Sequence, residues 1–474
     1  MNKYLHEKHI AFEKKMLIVG FGAIGQAVLP LILRHIDIKP EQITILTKNE
    51  EGIQIAKEYQ IALHTSPLTP ENYQSLLEKY LNPGDFLLNL SVDVSSIALI
   101  KYAQQHGIIY LDTCIEPWAG TYVDPTLSSA ERCNYTMRES ALSLKNQQNG
   151  KPTAVLTHGA NPGLVSHLVK LALMNLATDV ELEINEPKTR QEWASLAHQL
   201  NIKAIHIAER DTQVTSRPKR ANEFLNTWSV DGFISEGSQP AELGWGTHER
   251  HLPQDACQHA SGSQCAIYLN RPGAATRVRT WTPLAGAFHG FLITHSEAMS
   301  LADYFTLKKD DMLLYRPTVH YAYHPCENAV LSLNELAGNE WNEQTHKKVL
   351  FEEIIDGMDE LGVLLMGHEK GAYWLGSQLT IHEARELAPL NNATSLQVAS
   401  SVLGGIIWAM KNPKKGVVEP EEMDYREIIE LVRPYLGKLS GHYTDWTPLK
   451  ERGKLFSENL DSTDPWQFIN IRVN

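Results

Sequence analysis

Residues 15–33, KMLIVGFGAIGQAVLPLIL, constrain the fold more than any other stretch of this chain. Met16, Leu17, Ile18 and Val19 are too few for a helix but suit a buried strand, and they run straight into Gly20-Phe21-Gly22-Ala23-Ile24-Gly25. Beyond the turn, Ile24, Ala27, Val28, Leu31 and Ile32 recur at the spacing of a helix with one buried face. Strand, glycine turn and helix follow in the order a dinucleotide site needs. Gly20 permits the tight turn, Gly22 lets the backbone approach a pyrophosphate, and Gly25 lets the helix pack close to the strand. The plain alternative is a glycine-rich turn with no ligand.

The alternation continues. Residues 42–47 read as a second strand, a helix follows Pro70, and strands at 86–90, 108–111 and 153–157 enclose a helix at 97–105. These repeated steps predict an α/β chain that begins with a Rossmann-type, doubly wound parallel sheet, a dinucleotide-binding domain over residues 1–165. From about residue 180 the rhythm is lost. Strand-like pieces at 203–208, 266–269, 277–281, 288–294 and 319–323 predict a second, α+β domain on a mixed sheet, for substrate and dimerisation, over 166–390. Strands near 349–355 and 372–375 flank a turn read at 357–362. Helices at 392–410 and 425–436 make 391–474 a C-terminal helical segment expected to return to the first domain.

The formal net charge of −13 argues against nucleic acid or an anionic membrane as partner, and favours a cationic small molecule if the acids converge on a cleft. Five cysteines, odd in number and without a CxxC pair, suit a reducing compartment. The polar start, MNKYLHEKHIAFEKK, does not read as a secretory signal, and no apolar run approaches the ~18 residues that span a bilayer. A cytoplasmic protein is expected.

In doubly wound sheets ligands sit beyond the carboxyl ends of the strands. Polar clusters follow two of these ends, bringing Ser91 and Asp93, then Thr113 and Glu116. The cofactor is expected on Gly20, Phe21, Gly22, Ala23, Ile24 and Gly25, on Thr47, and on Ser91 and Thr113. Thr47-Lys48 stands where an NAD fold usually carries an acid for the ribose. Glu50 or Glu51 offers a substitute, while Lys48 would tolerate the extra phosphate of NADP. Asn161, before Pro162, suits the cap of the next helix and also faces the cleft. His320, His324 and Cys326 invite a zinc reading, but they lie on a strand that separates them, so no metal is expected. A carboxylate substrate would call for arginines. The cleft instead offers Asp93, Glu116, Glu209, Glu236 and Trp228. Acids pair with an alkylammonium, and an indole face adds ~0.5–2 kcal/mol, so an amine substrate is predicted. A core aromatic is the other reading of Trp228.

GFGAIG, NLSVDVSS, YLDTCIEPW, THGANPGLVSHLVK, NTWSVDGFISEG and DGMDELGVLL, in this order and spacing, resemble the bacterial homospermidine synthases of the saccharopine dehydrogenase-like superfamily. The resemblance covers nearly the whole chain, and NTWSVDGFISEG favours the synthases over their relatives. It implies a redox-neutral reaction on tightly held NAD. One putrescine gives up hydride and becomes an imine, a second displaces ammonia, and the new imine is reduced by the same cofactor. By motif, Trp228 would steady the iminium, and Glu236 and Glu209 would hold or deprotonate ammonium groups. Asp93 and Glu116 would fix the amine near the nicotinamide, and Asn161 and His295 would orient groups or relay protons. Either His295 or a buried Glu could accept the proton. Asp359 is a weaker candidate for the distal ammonium, and a turn role is the alternative. The resemblance also implies a homodimer and related diamines as further substrates. A saccharopine or carboxyspermidine-type dehydrogenase, or a non-catalytic dinucleotide sensor, would fit the same glycine loop.

Overall fold

A computed structural model describes residues 7–124, 126–145 and 150–473. Residues 1–6, part of the polar start, and Asn474, the end of the C-terminal segment, lie outside the described residues.

The first sheet has seven strands, all pairs parallel. Met16–Val19 lies between Phe86–Asn89 on one side and Ile43–Thr47 on the other. Ile109–Asp112, Ala154–Val155 and Val417–Val418 continue the sheet beyond Phe86–Asn89, and Ala62–Thr65 closes the opposite edge. MLIV, FLLN and IYLD are buried at every residue, as strands covered on both faces must be. The order reverses between Met16–Val19 and Phe86–Asn89, so the glycine turn opens at the crevice where such sheets bind ligands.

The second sheet has eleven strands, largely antiparallel. At its centre Ala204–Asp211 runs parallel to Thr318–His324 and antiparallel to Met358–Met366. The turn expected at 357–362 is therefore corrected, because only Gly357, at φ +107°, bends the chain before a nine-residue central strand begins. That strand, MDELGVLLM, carries two acids that mask its apolar run, and both are buried in the fold.

The helix Ala393–Lys411 packs along Ala23–His35 of the first domain and leads to Val417–Val418 on the first sheet. The C-terminal segment is not helical throughout. Lys438–Thr444 pairs with Ala372–Thr380, and Arg472–Val473 with Arg277–Thr282, so both strands belong to the second sheet. Ala393–Lys411 is also long and apolar enough to cross a membrane, contrary to the reading that no run approaches that length. Here 94% of its apolar window is buried inside the protein, and Ser395, Gln397 and Ser400 within it are buried too.

Candidate active site

A cavity of about 520 Å³ runs from the glycine turn to the second sheet. Gly20, at φ +87°, makes the turn, and a Cβ there would stand 2.6 Å from the Leu90 carbonyl oxygen. Gly22 caps the helix Ala23–His35, and nothing lies within 4 Å of where its Cβ would be, so the wall is open at the point of closest approach. The first N–H groups of a helix have no intrahelical partner and favour an anion there. These features fit a dinucleotide pyrophosphate. Phe21, Ala23, Ile24, Thr47, Ser91 and Thr113 line the cavity as well. Gly25 does not line it. Its Cβ would meet the Gly20 oxygen at 2.9 Å, so it serves close packing behind the wall, a correction to its place among cofactor contacts.

Where the adenosine end is expected, Glu51 lines the cavity and Glu50 does not. Burial pushes the Glu51 carboxyl up, Lys48 opposes this, and Asp231 adds to it. Three lysines line the same region, and each has an acidic partner. Lys48 lies 3.6 Å from Asp231, Lys347 lies 2.8 Å from Asp231, and Lys348 pairs with Glu353.

At the other end stand Asp93, Glu116, Asn161, Glu209, Trp228, Glu236 and His295. The helix Val230–Ser238 carries Glu236, and Ser229 caps it by accepting from Gly232 N at 3.1 Å. Trp228 precedes the cap. Its Nε1 donates to the Tyr323 hydroxyl at 3.2 Å, and its ring packs on Phe233 at 5.2 Å. Trp228 is only partly buried, so it serves packing and cavity wall together. Asn161 does not cap the next helix, which begins at Leu164 behind Gly163. Its amide donates instead to Glu209 Oε2 at 2.9 Å.

The same oxygen of Glu209 accepts from the Tyr321 hydroxyl at 2.6 Å. Burial pushes the Glu209 carboxyl up, these hydrogen bonds resist, and Asp211 adds to the rise. Asp359 pairs with Asp211 across the strands, which sets Glu209, Asp211 and Asp359 on one face. Asp359 lies behind the wall, fully buried, with Thr394 Oγ1 donating to it at 2.5 Å. Burial and then Glu209 and Asp211 raise its carboxyl far above the usual range. A direct ammonium contact by Asp359 is therefore corrected to a place one layer back. Asp211, its partner, accepts from Thr227 Oγ1 at 2.7 Å, beside Trp228. Only strand register could have singled it out.

His295 caps the helix Ser296–Tyr304 and lies between two acids, with Nε2 2.9 Å from Glu236 and Nδ1 3.2 Å from Glu297. Burial pulls its imidazole down, but the charges of Glu236 and Glu297 outweigh this and hold it well above its ordinary value. The two flanking carboxylates thus favour the protonated form of the His295 imidazole. Burial, then Glu236 and Asp93, push Glu116 up to about 8. Its Oε2 is buried and has no hydrogen-bond partner among the described residues. An ammonium would satisfy that oxygen. Among the described residues no arginine lines the cavity.

His320 and His324 do not converge. His320 is buried against His206 at 4.1 Å, whereas His324 packs near Phe288.

The family model for the saccharopine dehydrogenase NADP binding domain matches residues 16–155, and that for the saccharopine dehydrogenase C-terminal domain matches 159–445. Homospermidine synthase from Mesorhizobium japonicum is 50% identical over 97% of this chain and 96% of its own. That from Blastochloris viridis is 50% identical over 97% of each chain. The crystal structure of homospermidine synthase from Legionella pneumophila in complex with NAD matches with a TM-score of 0.92 and 53% identity, over 98% of both chains. By full-length identity and shared architecture, this chain belongs to the homospermidine synthase family, within the saccharopine dehydrogenase-like proteins.

Proposed function

We propose that the protein is a homospermidine synthase that couples two putrescine molecules on tightly held NAD. The observation that carries this is an acid-lined cavity onto which no arginine converges among the described residues, with an indole in its wall, opening onto the glycine turn. Arginines gripping a carboxylate would have favoured a saccharopine or carboxyspermidine-type dehydrogenase. The convergence of buried carboxylates on this cavity favours catalysis over a purely sensory role.

When bound, NAD supplies a hydride acceptor and returns the hydride to a later imine. Gly20, Gly22 and the first turn of Ala23–His35 would hold its pyrophosphate, with Thr47 and Glu51 towards the adenosine and Ser91 and Thr113 towards the nicotinamide. Hydride loss and attack on the imine both require a free amine, so each ammonium must surrender a proton within the cavity. Glu209, with its raised carboxyl and fixed hydrogen bonds, takes that proton. Glu116 and Asp93 hold the other end of the diamine. Glu236, held by His295, balances the cationic imine, and Trp228 presents its ring to it. The enzyme works in the cytoplasm as a homodimer on putrescine and related diamines, and light scattering tests the oligomeric state.

The deciding assay incubates the protein with putrescine and substoichiometric NAD. Homospermidine and ammonia accumulating beyond the cofactor supply, without lasting NADH, is the expected result. Net NADH without a coupled amine would overturn the assignment.

Two substitutions probe the cation site. Trp228→Phe should retain partial activity and Trp228→Glu should lose most of it, since only the first keeps a π-face; the interaction is worth ~0.5–2 kcal/mol, or up to about thirtyfold in rate. Equal loss in both would mean the ring only packs. Glu236→Gln removes one of the two charges that raise the His295 imidazole, so its pKa should fall, as NMR titration would show. Turnover should drop while NAD affinity stays near normal.

A further inference from the structure

Cys133, Glu242 and His259 lie far apart in sequence and away from the catalytic cavity, yet one ligand atom from each falls within 4.8 Å of the others. Cys133 stands at the N-cap of the helix Asn134–Leu142, Glu242 is on the strand Pro240–Gly244, and His259 follows the edge strand Ala256–Gln258. All three are buried, at 0%, 0% and 7% exposure.

Glu242 accepts from Asn134 N at 2.7 Å and Thr294 Oγ1 at 2.6 Å through one oxygen, and from Tyr135 N at 3.1 Å through the other. The Cys133 thiol is a further hydrogen-bond partner of this carboxylate, so thiol and carboxylate already meet. No cationic side chain forms an ion pair with this buried carboxylate among the described residues. The His259 ring lies flat against Tyr135, with centroids 3.8 Å apart, and its Nε2 is buried with no hydrogen-bond partner among the described residues. A buried imidazole with an unpartnered nitrogen, a buried thiol and the carboxylate that thiol bonds therefore share one small volume.

We infer that Cys133, Glu242 and His259 form a structural site for a zinc-like divalent cation that staples the helix Asn134–Leu142 to the second sheet. Sulfur, imidazole and carboxylate together suit Zn²⁺ far better than Mg²⁺ or Ca²⁺, which take oxygen ligands. Three protein ligands leave a fourth tetrahedral position to water. The ion would replace the Cys133 proton, now shared with the Ser129 carbonyl at 3.1 Å, and balance the Glu242 charge. Because Thr294 bonds Glu242 and directly precedes His295, the staple would also brace one wall of the active cavity.

The test begins with the whole protein, expressed with added zinc and purified without chelator or affinity tag. Close to one zinc per chain is expected by elemental analysis, falling to background in Cys133→Ser and in His259→Gln. Reloading the stripped wild-type protein with Co²⁺ should give a thiolate-to-cobalt charge-transfer band, and stripping alone should lower the melting temperature. Background zinc in the wild type after dialysis against Zn²⁺, or zinc at the wild-type level in both variants, would overturn the site. If the variants do not fold, the wild-type cobalt spectrum decides, since absence of the thiolate band rejects Cys133 as a ligand.

Discussion

Glu209→Gln is expected to lower kcat by roughly 10²–10⁴-fold, the usual contribution of a positioned general base, while leaving NAD affinity close to that of the wild type. The amide keeps one oxygen to accept from Asn161 and Tyr321 but cannot take a proton. The pH dependence carries the same information. A raised carboxyl keeps its proton to higher pH than an ordinary glutamate, so the base form appears only as pH rises towards neutrality. Wild-type kcat/KM should therefore climb across a range well above the ~4.3 of an unperturbed Glu. In the Gln variant the part of that limb due to Glu209 should vanish, leaving any contribution from Glu116, whose carboxyl lies at about 8. Unchanged kcat would remove Glu209 from the chemistry, and lost NAD binding would make it a structural residue.

Gly20→Ala and Gly22→Ala should separate fold from cofactor. At Gly20 a methyl would stand 2.6 Å from the Leu90 oxygen and 2.7 Å from Ser91 N, both backbone atoms, on a residue at φ +87°. The left-handed conformation costs a non-glycine residue ~1–2 kcal/mol and overpacking typically ~1–3 more. Gly20→Ala should therefore lower the melting temperature of the ligand-free protein and weaken NAD together. Gly22 is at φ −76° with open space beyond its Cα, so alanine should fold normally there. The same methyl would occupy the space through which the pyrophosphate approaches, and NAD affinity should fall at least roughly tenfold, about 1.4 kcal/mol. Calorimetry with and without NAD checks both. Wild-type affinity in Gly22→Ala would place the pyrophosphate elsewhere.

The first sheet was legible because local sequence decides it. Short apolar runs such as MLIV and FLLN, each followed by a turn and an amphipathic stretch, allow little besides parallel βα units. Ala154–Val155 is only two residues long, and Val417–Val418 joins the same sheet after a long excursion through the second. Nothing near Val417 in the sequence announces that pairing. Met358–Met366 was hidden for a different reason, since its two acids and Gly362, following Gly357, resemble a turn until a buried neighbour is supplied by Ala204–Asp211.

For the site, the chain by itself determined the chemistry on offer: a glycine turn for a dinucleotide, a set of carboxylates, and an indole. Those follow from residue type and short spacing, which folding does not alter. Tertiary structure decided which of these groups face the cavity and in what protonation state. It moved Asp359 behind Glu209, turned Asn161 from a helix cap into a hydrogen-bond donor, and set His295 between the carboxylates of Glu236 and Glu297. Burial and the charges brought near from distant strands set a side chain's proton affinity, and neither is a property of the local sequence.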